Sequence, residues 1–316
     1  MTKIGERVSA WAWFGLGAGV IAGLGALTWW ASRPPTWDSL VAKTGAPLAF
    51  ARFAAVQRFT ESRGKRLRDA VAAVANQPVG VIVNTHHHGD HTYGNYLFPE
   101  ATIIAQHACR DRMLATGLDT CHLFEGVDWG DLEISEPTVT FTDEITLHLD
   151  DSAATVRHPG RAAHTNEDAY VWIPERRLLY TGDLVFNRGT PFVLMGSVTG
   201  LITTLRELAE LDVETLVPGH GAIGDASLIQ PQIDYLELVW EAAREGMADG
   251  LTPLETARRT DLGAYASWLD AERLPANLHR AYSELRGEEP GRVLDLAPIV
   301  ADMVAFNDGK PLHCLA

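Results

Sequence analysis

Residues 84–95 read "NTHHHGDHTYGN", and the pattern His86-x-His88-x-Asp90-His91 within them decides how the chain is to be read. Imidazole nitrogens and a carboxylate are the donors a borderline cation such as Zn²⁺ accepts, and a tight turn aims several of them at one point. In extended backbone the alternate residues His86 and His88 face the same way. Asp90 and His91, carried round the turn at Gly89, face a second point. His87 falls between two donors on this alternation and is expected to point away. Just upstream, "VGVIVNT" (79–85) is a short apolar run rich in β-branched residues, which reads as a buried strand. The histidine run therefore sits past the carboxyl end of a strand, where α/β sheets meet their ligands.

Working outward, "GKRLRDAVAAVA" has helical spacing with Leu67, Val71 and Val74 on one face, closed by Pro78. "ATIIAQ" (101–106) reads as a strand and "HACRDRMLATG" as a helix ended by Gly117. "TVTFTD", "ITLHLDD" and "ATVRHPG" read as successive strands. Tyr170 to Ile173 and Leu178 to Thr181 read as a hairpin across "PERR". "TTLRELAEL" is a helix, "VETLVPGHG" a strand running into a turn, and the remainder is mostly helical. The 316 residues carry a formal charge of −15, and no Lys/Arg block is present. A nucleic-acid partner is thereby excluded, since phosphate backbones need a concentrated basic face. Cys109, Cys121 and Cys314 are scattered and lack C-x-x-C spacing, so they read as reduced thiols.

Three later residues complete the constellation. His164 in "HPGRAAHT", Asp183 in "LLYTGD" and His220 in "LVPGHG" each fall at a strand end or in the turn that follows one. Strand ends on one side of a sheet converge, so these three can join the first four as seven donors for two metals. His107, His122, His148, His158, His279 and His313 lie outside this pattern and are expected to be surface or internally satisfied histidines.

In the order of these motifs, across roughly residues 64 to 225, the chain resembles the metallo-β-lactamase fold superfamily. The resemblance implies an αββα sandwich, two mixed sheets flanked by helices, with a helical C-terminal extension. It implies that His86, His88 and His164 hold one divalent ion, and that Asp90, His91 and His220 hold a second. Asp183 would bridge the two, and Zn²⁺ is the expected metal. Asp90 and Asp183 are also the candidates for moving a proton, with ligation the favoured role for both. The implied organisation is an atypical segment 1–62, a catalytic core 63–225 and a helical region 226–316 that completes the pocket.

Site residues alone do not name a substrate, because this fold hosts many hydrolyses. The bridging position of Asp183 argues against a true β-lactamase. "TGDLVFNRGTPFVLMGSVTG", "LTPLETARRTDLGAYASWLDAERLPANLHRAYSEL" and the closing "MVAFNDGKPLHCLA" are similar to metallo-β-lactamase-type cyclases of actinomycete aromatic polyketide (antibiotic) biosynthesis, of the actinorhodin second-ring type. That resemblance implies ring closure by intramolecular aldol condensation and dehydration of a polyketide borne on an acyl carrier protein, with thioester release as an accompanying step. The alternative is a general metallo-hydrolase of a thioester or lactone, similar to glyoxalase II. Phe186, Phe192, Leu194 and Met195 form an apolar run just after Asp183 and read equally as a pocket wall or as core beneath a loop.

Residues 11–31, "WAWFGLGAGVIAGLGALTWWA", are free of charge for about twenty positions, the length of a membrane anchor. Residues 13–60 lack alternating strands and the acidic D-T turn that the fold implies before "ESRGKRLRDAV". Translation of residues 13 to about 60 in a shifted frame is the favoured reading. The expected enzyme is then cytoplasmic with no membrane partner; if the anchor is real, it is held to a membrane through residues 11–31.

Overall fold

The computed structural model describes the backbone of residues 20–22 and residues 60–75, 77–119, 121, 128–149, 152–310 and 312. Two sheets lie face to face between helices. The first runs β1 (Val20–Ala22), β2 (Val81–Val83), β3 (Thr102–Gln106), β4 (Val139–Phe141). The second runs β5 (Glu144–His148), β6 (Ala153–Arg157), β7 (Tyr170–Ile173), β8 (Leu178–Phe186), β9 (Thr215–His220). Helices α1 (Glu61–Val74) and α3 (His107–Thr116) accompany the first sheet, and the short α2 (Gly89–Thr92) follows β2. Helices α4 (Val198–Ala209), α5 (Ile229–Ala248), α6 (Pro253–Arg259), α7 (Leu274–Leu285) and α8 (Leu296–Phe306) make up the other side and the C-terminal region.

The expected mixed character belongs to the second sheet. There β5 to β8 pair antiparallel and β8 with β9 parallel, whereas the described strands of the first sheet are all parallel. The hairpin across "PERR" pairs Val171 with Tyr180 and Ile173 with Leu178. Val20–Ala22 is a departure from the sequence reading: a β-branched pair inside the stretch read as anchor or as shifted frame forms a parallel strand beside β2. Apart from Thr60, the remainder of residues 11–31 and 13–60, and with it both of those readings, lies outside the described residues. Among the described residues no helix is long and apolar enough to cross a membrane.

The two-residue period of each strand sorts side chains into layers. Ile82 and Ile103 face α1, where they pack with Leu67 and Val71; Val74, on the expected apolar face, is only partly buried. Their neighbours Val83 and Ile104 turn inward to meet Val156, Val171, Leu178, Tyr180 and Val217 between the sheets. On β8 the alternation continues, Leu179 turning outward into the largest cluster with Leu201, Leu205, Leu236, Val239 and Leu278. That cluster binds the C-terminal helices to the second sheet, and all nine residues of β8 are buried.

Leu236, fully enclosed in that cluster, tests the layer order. Leu236→Ala should cost about 2–5 kcal/mol in a urea unfolding curve through lost transfer energy and the cavity left behind. Val293→Ala, at a position 69% exposed, should stay within about 0.5 kcal/mol. An unchanged midpoint for Leu236→Ala would refute the placement of α5 against the sheet.

Candidate metal centre

All the strand ends and turns carrying the seven residues meet at one edge of the sandwich. His86 and His88 follow β2, His88 caps α2, and Asp90 and His91 lie in its first turn. His164 stands in the loop between β6 and β7, Asp183 inside β8 and His220 at the end of β9. Two donor groups result: His86, His88, His164 and Asp183 in one, Asp90, His91 and His220 in the other. Within each group the donor atoms lie within 4.8 Å of one another. Asp183 Oδ2 is 3.5 Å from His164 Nε2, 3.9 Å from His86 Nε2 and 3.2 Å from His220 Nε2, while Oδ1 is 3.1 Å from His91 Nε2. One carboxylate thus reaches both groups. Asp90 Oδ2 stands 3.3 Å from both His91 and His220.

The donor geometry fits a cation. His88 Nδ1 lies 3.1 Å from both His86 Nε2 and His164 Nε2. A neutral imidazole nitrogen has a single in-plane lone pair and can accept from only one of them. Three nitrogens converging this closely match tetrahedral ligation, in which bonds of about 2.0–2.1 Å set donors about 3.3 Å apart.

Local backbone features make the convergence possible. The β8–β9 ladder shifts register between Tyr180 and Phe186, and Gly182 sits in the shift with φ +51°. This left-handed conformation suits glycine, and a Cβ there would overlap the Thr85 side chain. Gly219 is needed for a different reason: a Cβ would overlap Asp183 Oδ1. The histidine turn is pinned from behind, since Asn84 and Asn95 exchange amide hydrogen bonds of 2.9 and 3.1 Å and Asn84 Nδ2 donates to the His91 carbonyl.

Burial and charge divide the histidines. Burial holds His86 and His88 well below the usual imidazole range, and like charge from neighbouring imidazoles adds to this. Burial likewise brings His164 down to about 4. For His91 and His220 burial is outweighed by the Asp183 and Asp90 carboxylates, which raise them to about 10 and about 9. Burial also opposes charge on Asp183 and Asp90, yet the surrounding imidazoles keep both carboxyls well below the usual range.

Several partners escaped the sequence reading. His87 does point away from the donors, but it is buried and paired with Glu167. Next to it, Asp168 accepts from Thr165 N and Thr165 Oγ1, both at 2.7 Å, which ties down the turn after His164. Burial, with Glu167 alongside, raises Asp168 to about 7. The "NED" after His164 was the only signal for this pair. Of the proposed wall residues, Phe186 and Leu194 are buried, and Phe186 stacks on His220 at 4.9 Å between ring centroids. Phe192 is partly buried. Met195 is 37% exposed, with its sulfur 3.3 Å from His88 Nε2. An open wall of all four side chains is therefore not what forms, because Phe186 is covered by His220 and Arg273 and Leu194 by Ala276, Ile299 and Met303. The remaining histidines lie outside the donor groups. His158 Nδ1 bonds the Asp168 carbonyl, His279 pairs with Asp302, and His107 and His148 are exposed, while His122 and His313 lie outside the described residues.

An αββα sandwich with two such donor groups at one edge defines a class of metal-dependent enzymes, and the family match of the sequence agrees. The family model described as Metallo-beta-lactamase superfamily matches residues 44–220. The chain belongs to that superfamily. The match reaches back into the segment 13–60 discussed above. The chain is 26% identical over 176 residues to a beta-lactamase-like protein 2 homolog of Caenorhabditis elegans, covering 56% of this chain and 53% of that one. It is 35% identical over 160 residues to a hydroxyacylglutathione hydrolase of a Polaromonas species, covering 49% and 53%. It thus spans about half the length of these curated relatives. The solved structure of a metallo-beta-lactamase from Pontibacter korlensis aligns with TM-score 0.48 and 19% identity, over 58% of this chain and 80% of that chain.

The split in histidine charge predicts how metal loading depends on pH. At pH 7 His86, His88 and His164 are already neutral, so the first ion displaces almost no protons. His91 and His220 must each lose one, so the second should release about two. As pH falls, the second ion should be lost before the first. Calorimetric titration of the metal-free protein in buffers of different ionisation enthalpy measures the release, and equal release by the two ions would contradict the assignment.

Proposed function

We propose that the chain is a dinuclear metal enzyme acting on a thioester-bound acyl substrate, and that its reaction is ring closure of a carrier-borne polyketide. Two divalent ions, with Zn²⁺ the expected species, would be held by His86, His88 and His164 on one side and by Asp90, His91 and His220 on the other. The observation that carries a two-ion site is Asp183, whose carboxylate stands within 3.9 Å of imidazoles from both groups. When bound, such ions acidify a water and polarise a carbonyl oxygen.

The protein's own part lies in orientation and proton transfer. Thr85 Oγ1, 3.1 Å from His86 Nδ1, fixes that ring, and Asp168 fixes the turn that presents His164. Asp90 is 23% exposed at its side chain, whereas the His86, His91, His164, His220 and Asp183 side chains are at most 4% exposed. Asp90 is thus the carboxylate of the centre most open to an incoming molecule. His91 and His220 hold its carboxyl well below the usual range despite burial, so beside ligation it can relay a proton from water in hydrolysis or from an activated methylene in ring closure but not keep it. In the aldol step the carbanion so formed attacks a ketone carbonyl of the same chain, and loss of water completes the ring.

Ring closure is favoured by the resemblance of the C-terminal stretches to polyketide cyclases, and by the position of that region against the site. The Arg273 guanidinium lies 5.6 Å from the Phe186 ring centroid and 5.8 Å from that of Phe192. Simple hydrolysis of a thioester is the second reading, supported by the likeness to relatives named hydroxyacylglutathione hydrolase.

Incubating the enzyme with a bicyclic polyketide precursor on its acyl carrier protein separates the two. A product with one more ring supports the first, and free acid without a new ring overturns it in favour of hydrolysis. Asp183→Ala should leave fewer than two metals per chain and lower either activity by at least about a hundredfold. Full metal content with full activity in that variant would exclude the bridging role.

A further inference from the structure

We propose that helix α7 is a clamp that sets the substrate-facing wall of the site, and that Asn277, Arg280 and Glu284, with Arg273 just before the helix, are its positioning residues. The four residues are spaced by four, three and four, which puts them on one helical face. Each grips the segment that runs from the end of β8 to the start of α4, in order. Arg273 Nη1 donates to the Thr190 carbonyl at 2.8 Å. Asn277 donates to the Pro191 carbonyl at 2.8 Å and accepts from Val193 N at 3.0 Å. Arg280 donates from Nε and Nη2 to the Leu194 carbonyl, and from Nη2 to that of Arg292. Glu284 accepts from Val198 N at 2.7 Å, Thr199 Oγ1 at 2.6 Å and Ser197 Oγ at 3.0 Å.

The loop has neither sheet nor helix partners for these backbone groups, and leaving them buried and unpaired is costly. Satisfying them from a single rigid helix fixes the loop's height over the metal centre. At its crest Met195 stands exposed, with its sulfur 3.3 Å from His88 Nε2. Leu194 beside it is anchored among Ala276, Ile299 and Met303. All four clamp residues lie beyond residues 44–220, the span matched to the family. None of them belongs to either donor group. The division of labour follows: the shared core holds the metals, and the C-terminal helix decides what fits beside them. The apolar crest suits the hydrocarbon part of an acyl substrate. That last statement rests on the thioester reading above, while the clamp itself does not.

Hydrogen exchange of the metal-free protein reads the clamp directly. In Arg280→Met and Glu284→Gln the amides of residues 190–199 should exchange about tenfold faster, with residues 84–91 unchanged. Arg280→Lys, which keeps the charge but not the planar fork, should fall between. With two metals bound, and on the hydrolysis reading, the same variants should raise KM for octanoyl-CoA far more than for acetyl-CoA, while kcat falls much less. Unchanged exchange at 190–199 overturns the clamp, as does loss of metal in step with loss of activity, which would make α7 a support of the metal centre. If Arg280→Met does not fold, Glu284→Gln at the open end of the stripe carries the test. Should the unaltered enzyme leave both CoA esters intact, the hydrolysis reading falls, ring closure stands, and the exchange data still decide the clamp.

Discussion

The structure depends on keeping one carboxylate charged out of contact with water. Asp183 is 4% exposed, and an isolated anion there would be strongly disfavoured. Four imidazole nitrogens surround it instead, from His86, His91, His164 and His220. The charge on His220 and His91 outweighs the burial and holds the carboxyl ionised. The same field works in reverse on His91 and His220, which take up protons in the metal-free protein. These protons stand where positive charge would be supplied by a cation, so the centre is electrically prepared for one.

Bringing those groups together is a problem of backbone placement, and the second sheet solves it. An uninterrupted strand would place Asp183 by the regular pleat. The register shift with Gly182 at positive φ re-aims it toward Thr85 and the histidine turn. The neighbouring strand must then come unusually close, hence Gly219 beside the Asp183 oxygen. The "G-D" and "G-H" pairs of the sequence are therefore steric requirements of the site as much as its chemistry.

Legibility in the sequence followed the range of the interactions. The donor pattern His86-x-His88-x-Asp90-His91 and the strand ends carrying His164, Asp183 and His220 depend on local spacing and strand periodicity, and their meeting at one edge could be anticipated. The hairpin at "PERR" was legible for the same reason. Partners set by long-range packing were not. His87 looked idle because nothing nearby reveals Glu167, eighty residues on. The apolar run after Asp183 leaves wall and core undecided, since only contacts with residues distant in sequence, His220 and Arg273 for Phe186 and Ala276, Ile299 and Met303 for Leu194, enclose those two while Met195 is exposed. The strand Val20–Ala22 is hidden in the sequence by the length of the apolar stretch around it, which masks a three-residue β segment.

Glu167 and Asp168 show how the loops behind the donors are stabilised. Two adjacent buried carboxyls repel one another, and the arrangement holds because each has a separate partner: His87 for Glu167, and the Thr165 amide and hydroxyl for Asp168. The His87–Glu167 contact joins the turn after β2 to the turn after β6, the two segments that must supply His86, His88 and His164 to a common point, while the Asp168 bonds brace the second turn from within. Backbone bonding reinforces the link, with Ala169 N donating to the Thr85 carbonyl at 2.7 Å. The histidine that stands out of register with the donors thereby ties together the two loops that carry the first donor group, and its position between two ligands in "HHH" follows from strand alternation: one face of the run presents imidazoles inward, and the other fastens the run to its neighbour.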